Sequence, residues 1–311
     1  MNAVAEQAPI ERVIERIKKV YGSWNKTTTV AQMRDDWDDL LWSDTFPAKT
    51  EAVSANGVDA MWIDAADAAA DKVLLYFHGG GFRVGSVRSH RDLIARISAG
   101  ANCRALGVNY RRSPEHHFPA PIEDAMSAYQ WLLDQGFLPN HIALVGDSAG
   151  GGVALSLLLA LRAKNLPLPA AAVTMSVWTD LSASGESYIT RAAADPIHQQ
   201  RMIQGMAKAY LNGAVPRDPQ ASPLFADLHG LPPLLLQVGD RETVLDDSRN
   251  FVAKACAAGV DAELEVWDGM IHVFQQFTSE LPEALQAIES IGCFLKKHWP
   301  TNDKRGINAR I

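Results

Sequence analysis

The sequence predicts an α/β fold: a mostly parallel eight-stranded sheet with helices on both faces and a helical cap. Three observations predict it. From residue 73 onward, short apolar runs alternate with helical stretches, as in a parallel sheet covered on both sides. Before them, Asn56-Gly57 joins two alternating runs, 51–55 and 58–63, the mark of a hairpin that adds an antiparallel edge. Residues 182–216 then interrupt the rhythm with more chain than a crossover needs.

In chain order, residues 9–21 set Ile10, Val13, Ile14, Ile17, Val20 and Tyr21 on one helical face, with Glu11, Glu15, Lys18 and Lys19 opposite. A second polar-rich stretch carries Trp37, Leu40, Leu41 and Trp42. Large apolar groups ahead of any strand imply helices that pack onto something else. After the hairpin, strands are expected at 73–77, 104–110, 142–145, 171–177, 234–238 and 263–267. Helices between them include 90–99, 121–135, 150–164 and 246–258, and 282–298 closes the pattern. The 182–216 excursion holds an amphipathic helix with Ile203, Met206, Ala207, Tyr210 and Leu211 on one side. With the N-terminal helices it forms a lid over the C-terminal edge of the sheet, where open α/β sheets place ligands. The expected division is a cap of residues 1–45 and 182–216, a sheet domain of 46–181 and 217–300, and a polar, mobile tail at 301–311. No repeat, low-complexity tract or linker divides the chain further.

Composition narrows the function. The 311 residues are 47% hydrophobic and 21% charged, as in a soluble globular protein. A net charge of −7 opposes nucleic acid and anionic membrane surfaces. No apolar run approaches the roughly 18 residues of a membrane span, and residues 1–19 lack the uncharged core of a secretion signal. Cys103, Cys256 and Cys293 are odd in number and set among apolar neighbours, which reads as buried structural thiols. A cytoplasmic protein is expected.

The chemistry centres on Gly146-Asp147-Ser148-Ala149-Gly150, between the 142–145 strand and a helix. That strand–turn–helix context is the one a nucleophile elbow requires, with Ser148 as nucleophile. An activated serine also needs a base, an acid to orient it and donors for the oxyanion. In sheets of this type the order is Ser, acid, His, leaving His198, His229, His272 and His298. His198 starts the lid helix, His229 precedes a strand, and His298 beside Lys296 and Lys297 reads as a solvated charge at a helix end. His272 follows the last strand after a short loop and is the expected base. The acid belongs on the loop after the 234–238 strand, where Asp240 and Glu242 are equally eligible. Asp246 and Asp247 suit the start of the next helix. Oxyanion donors are expected from the amide of Ala149 and from His78-Gly79-Gly80-Gly81, where consecutive glycines let backbone approach a ligand.

His78-Gly79-Gly80-Gly81 together with Gly146-Asp147-Ser148-Ala149-Gly150-Gly151 resembles the bacterial hormone-sensitive-lipase-like carboxylesterases (family IV) of the α/β-hydrolase fold. The likeness extends to Tyr110-Arg111-Arg112-Ser113-Pro114-Glu115-His116, Trp178-Thr179-Asp180-Leu181, Ser222-Pro223-Leu224 and Val266-Trp267-Asp268-Gly269-Met270-Ile271-His272, from about Tyr76 to the terminal helix. The resemblance implies Ser148 as nucleophile and His272 as base. It puts the acid thirty positions before its histidine, at Glu242. Gly80, Gly81 and Ala149 become the oxyanion donors, with His78, Gly79, Asp147 and Asp246 in support. The family's lid maps onto the N-terminal helices and the 182–216 excursion. Arg83, Arg112, Val177 and Arg241 depart from the family pattern, and Arg83, at the mouth of the glycine loop, would bear on which groups are admitted.

What the resemblance implies is a serine carboxylic-ester hydrolase for short- to medium-chain esters, working through an acyl-enzyme without metal or cofactor. A lactone hydrolase, arylformamidase or amidase would use the same triad, and a non-catalytic ligand-binding relative is the distant alternative. The expected partner is a small-molecule ester, with neither nucleic acid nor membrane involved. Relatives also suggest a homodimer through the last strand and terminal helix.

Overall fold

The computed structural model describes residues 7–300, so the tail expected at 301–311 lies outside the described residues. The chain opens with α1 (Pro9–Ser23) and α2 (Val30–Leu41), the latter capped by the Thr29 side chain, which accepts from Gln32 N at 3.1 Å. The hairpin follows as β1 (Ala48–Ala55) and β2 (Val58–Ala65). Asn56 (φ 51°) and Gly57 (φ 89°) both take the left-handed conformation that a two-residue turn between twisted strands demands. Next come β3 (Val73–Phe77), α3 (Val87–Ala101), β4 (Arg104–Val108) and α4 (Ala120–Asp134). They lead to β5 (Ile142–Asp147), α5 (Ser148–Ala163) and β6 (Ala171–Met175). The excursion holds α6 (Ser187–Thr190) and α7 (Gln200–Leu211), and β7 (Leu234–Gly239), α8 (Leu245–Ala257), β8 (Ala262–Trp267) and α9 (Pro282–His298) complete the fold.

The eight strands form one sheet in the order β1-β2-β4-β3-β5-β6-β7-β8, antiparallel at β1/β2 and β2/β4 and parallel elsewhere. Its apolar faces are covered separately. Side chains of α4, α5 and α8 close one face, and those of α3 and α9 close the other. Register positions the site. Phe77 pairs with Gly146, Asp147 with Met175, and Gly239 with Trp267, so the connections that follow β3, β5, β6, β7 and β8 all leave the sheet at one edge. The α1 helix packs there too. Its buried Val13, Ile14 and Ile17, spaced as one helical face, join Met270, Ile271 and Phe274 in a third apolar cluster. Burial of that size stabilises by about 1.5–3 kcal/mol per side chain before entropy is charged.

Several expectations shift. The sixth strand ends at Met175 rather than at 177, because Ser176 (φ 50°) turns the chain. Helix α3 starts at Val87, three residues early, because Ser86 and Ser89 form a reciprocal cap. The amphipathic helix of the excursion is α7, burying Ile203, Ala207, Tyr210 and Leu211, whereas α6 was not anticipated. Buried thiols hold only for Cys103. Cys256 and Cys293 are exposed, on the outer faces of α8 and α9, since neighbours in sequence on a helix point in different directions. His298 is not the solvated charge expected of it. It packs on Phe294, and burial followed by the Lys297 charge lowers its pKa. Among the described residues no helix is long and apolar enough to cross a membrane.

Candidate active site

Ser148 is the first residue of α5 and has φ 51°, a strained value for a serine. The tightness of its turn is visible at Gly150, where a Cβ would lie 2.1 Å from the Phe77 carbonyl oxygen. No side chain fits there. Helix α5 begins directly after β5 and packs on one face of the sheet, leaving Ser148 at the sheet's C-terminal edge.

His272 reaches that hydroxyl from the loop after β8, with Nε2 2.9 Å from Ser148 Oγ. Its Nδ1 lies 2.7 Å from Glu242 Oε2, so the imidazole donates to the carboxylate and turns a lone pair toward the serine. Both side chains are buried. Burial alone would lower the His272 pKa, but the charge and hydrogen bond of Glu242, with Asp195 and Asp147 behind them, raise it overall. Glu242 Oε1 is held in turn by Gly239 N at 2.6 Å and Ser176 Oγ at 2.7 Å. Ser176 Oγ accepts from Val273 N at 2.9 Å, tying the acid to the residue after the histidine.

Asp240, eligible from sequence, makes a different contact. It accepts from Gly269 N at 2.7 Å and so shapes the turn before His272 without touching the ring. Asp246 faces the excursion, accepting from Ser187 N at 2.8 Å. Asp247 accepts from Thr179 N and Asp180 N at 2.8 and 2.9 Å, so its oxygen binds other segments rather than only its own helix end.

The glycine loop arches beside the serine. Gly80 has φ 118°, and a Cβ there would lie 2.2 Å from the Val84 carbonyl oxygen. A Cβ on Gly81 would strike the Met206 sulfur at 2.6 Å, which shows α7 resting on the loop. Gly80 and Ser148 line the same cavity. Asp147 anchors the loop from below. Its Oδ1 accepts from Tyr76 Oη at 2.7 Å and Gly79 N at 3.0 Å, and His90 Nε2 lies 3.2 Å from Oδ2. Burial pushes the Asp147 pKa up, but the charge and hydrogen bonds of His90 and Tyr76 bring it below the usual carboxylate range. His78 stacks on Tyr110 with centroids 4.4 Å apart, and Tyr110 Oη donates to its carbonyl oxygen at 2.7 Å. Burial, then His90 and Arg112, lower the His78 pKa to about 3, so it is a neutral structural ring.

Four supporting residues had escaped the sequence reading. Ser176 and Tyr76 are polar residues in or beside apolar strands, and His90 lies on a helix. Asp195 accepts from the amides of Ile197 and His198 and from Thr243 N, all at 2.8 Å, joining the excursion to the acid's loop. His198, set aside as a lid residue, has its ring 4.3 Å from that of His272, edge to face. Only their partners in space mark these residues. Of the departures, Arg83 is not among the residues lining the cavity. Arg241 joins Glu11 of α1 at 3.3 Å, and the Val177 side chain fits against Gly151.

A serine, an imidazole and a carboxylate in one hydrogen-bonded line at the C-terminal edge of such a sheet define the class as an α/β hydrolase. Residues 74–276 match the model of an α/β-hydrolase-fold family. An acetyl-hydrolase of Streptomyces hygroscopicus is 46% identical over 225 residues, 72% of this chain and 75% of that protein. An esterase of Acinetobacter venetianus is 38% identical over 230 residues, 74% and 76% of the two chains. Among solved structures, an esterase from the bacterial hormone-sensitive lipase family superposes with a TM-score of 0.91 at 47% identity, covering 96% of this chain and all of that one. EstE5, crystallised after soaking with p-nitrophenyl butyrate, gives 0.88 at 42% identity over 94% and 99%. The chain belongs to the bacterial hormone-sensitive lipase family of α/β hydrolases.

Proposed function

We propose that this protein is a serine carboxylesterase acting on short- to medium-chain esters through an acyl-enzyme. The observation that carries the reading is the line from Ser148 Oγ through His272 to Glu242, at 2.9 and 2.7 Å. His272 Nε2 takes the serine proton as Oγ attacks the ester carbonyl carbon. The amides of Gly80, Gly81 and Ala149 hold the oxyanion, fixed dipoles that need no rearrangement as charge appears. The imidazolium then gives its proton to the departing alcohol. Water enters, loses a proton to the same nitrogen and cleaves the acyl-enzyme, freeing Ser148 and the acid. Glu242 holds the proton on Nδ1 throughout. Names of relatives, esterase and acetyl-hydrolase, support the same chemistry.

In this reading residues 1–45 and 182–216 act as the cap, supported by α7 lying on Gly81 and by α1 packing behind the histidine loop. A cytoplasmic location is part of the proposal, as is a dimer through the edge strand β8 and α9, where Val266 is 40% exposed. The deciding experiment is Ser148→Ala with p-nitrophenyl butyrate and a fluorophosphonate probe. Turnover and labelling should vanish together, and labelling that persists in the variant would remove the assignment.

A further inference from the structure

The cavity beside Ser148 has an apolar wall of Ile17, Leu40, Leu41 and Phe277. Three other residues on its lining carry polar atoms that are buried and, among the described residues, have no hydrogen-bond partner. They are Trp37 Nε1, Gln276 Nε2 and His198 Nδ1. Each comes from a different segment: α2, the turn after His272, and the loop leading into α7. Buried polar groups are paired in the large majority of cases, because leaving one unpaired forfeits its hydration with nothing in return. Three on the residues that line one cavity are costly unless whatever enters it draws them inward and supplies the acceptor.

The chemistry of the donors says which acceptor. An indole N–H and a carboxamide NH2 only donate, while a neutral imidazole nitrogen adapts. His198 is held neutral, its pKa lowered by burial and then by His272. Among the described residues neither lysine nor arginine lines the cavity, and Asp147 adds negative charge, so an anionic acceptor is disfavoured. A hydrocarbon would leave the donors buried and unmet.

We infer that the cavity selects esters whose enclosed part carries a neutral oxygen acceptor, a keto or ether oxygen a few bonds from the scissile carbonyl, over plain alkyl esters. Trp37 and Gln276 are the specificity-determining donors, with His198 beside them. This rests on the esterase reading and adds a substrate class to it. A site built to hydrogen-bond a polar group rejects the analogue that lacks it far more strongly than an apolar pocket rejects a methylene.

Shape-matched pairs test the inference on either side of the ester. On the acyl side, p-nitrophenyl 4-oxopentanoate is compared with p-nitrophenyl 4-methylpentanoate. On the alcohol side, 2-methoxyethyl butyrate is compared with butyl butyrate. Each kcat/KM is divided by that ester's own rate with hydroxide, and the readout is the ratio within a pair, which is insensitive to the folded fraction of a sample. The parent should favour the oxygen-bearing member of at least one pair by about tenfold or more. Trp37→Phe and Gln276→Leu should each cut that ratio severalfold, and the double variant should bring it near one. A ratio near one in the parent, or one unchanged in the double variant, overturns the inference while the esterase reading stands. Failure to hydrolyse any of the four esters, together with no fluorophosphonate labelling, removes the esterase reading and the inference with it.

Discussion

Replacing Glu242 by glutamine tests the site most directly, because the structure dictates which way the amide must face. Glu242 Oε1 receives Gly239 N at 2.6 Å and Ser176 Oγ at 2.7 Å. Ser176 Oγ already accepts from Val273 N, so its own proton is committed to Glu242. Two donors aimed at one point fix the glutamine oxygen there and turn its NH2 toward His272. That NH2 donates to Nδ1, which drives the imidazole proton to Nε2, where it faces Ser148 and cannot accept. A triad held in the wrong tautomer loses about 10⁴ in rate, about 5.5 kcal/mol of barrier. The variant also loses the charge that raises the His272 pKa. We expect kcat/KM on p-nitrophenyl butyrate at pH 8 to fall by about 10⁴, with the thermal midpoint little changed. Asp240→Asn keeps the acceptor for Gly269 N and should cost less than about threefold. A Glu242→Gln enzyme within tenfold of the parent, or an equal loss in Asp240→Asn, would refute the reasoning.

Three further outcomes follow from the same contacts. In the parent, kcat/KM should rise with pH through a midpoint above the ordinary imidazole value, because a raised His272 pKa keeps the base protonated to higher pH; initial rates from pH 5 to 9 give the midpoint. Ser176→Ala removes a hydrogen bond to a carboxylate and strands Val273 N, so kcat should fall roughly ten- to a hundredfold at near-constant KM. Asp247 has its pKa pushed up to about 7, by burial first and then by Asp180. An acid with a raised folded pKa stabilises fully only below its unfolded value, near 4, and that stability drains away as pH rises toward 7. Asp247→Asn keeps the oxygen that accepts Thr179 N and Asp180 N but cannot ionise. Calorimetry should find it more stable than the parent at pH 8, by about a few kcal/mol, with the gain vanishing toward pH 4.

How much of this was legible before the fold was known differs from residue to residue. The hairpin at Asn56-Gly57 and strands 73–77 and 142–145 follow from local patterning, because turn conformation and apolar runs are properties of adjacent residues, and the latter strand runs on to Asp147 in the fold. Ser148 and the glycines around it are equally local, since the elbow is one short turn with its own steric demands. His272 needed only the order of elements. Choosing Glu242 over Asp240 required the resemblance, because both lie on one loop and nothing in their spacing separates them.

What the tertiary structure alone decided is the company each group keeps. Ser176 between Glu242 and Val273, Asp195 between the excursion and Thr243, and His198 against His272 are each joined across dozens of residues of sequence. The exposure of Cys256 and Cys293, and the donors of Trp37 and Gln276 that are unmet among the described residues, depend likewise on which face of each element meets the rest. Local sequence determines backbone shape and which residue types can do chemistry. Hydrogen-bond partners and burial are set by strand register and helix packing, which bring distant segments to one edge of the sheet. For this protein the sequence by itself pointed to the hydrolase fold and to Ser148 and His272, and the tertiary structure determined how Glu242 is held beside them and what lines the cavity.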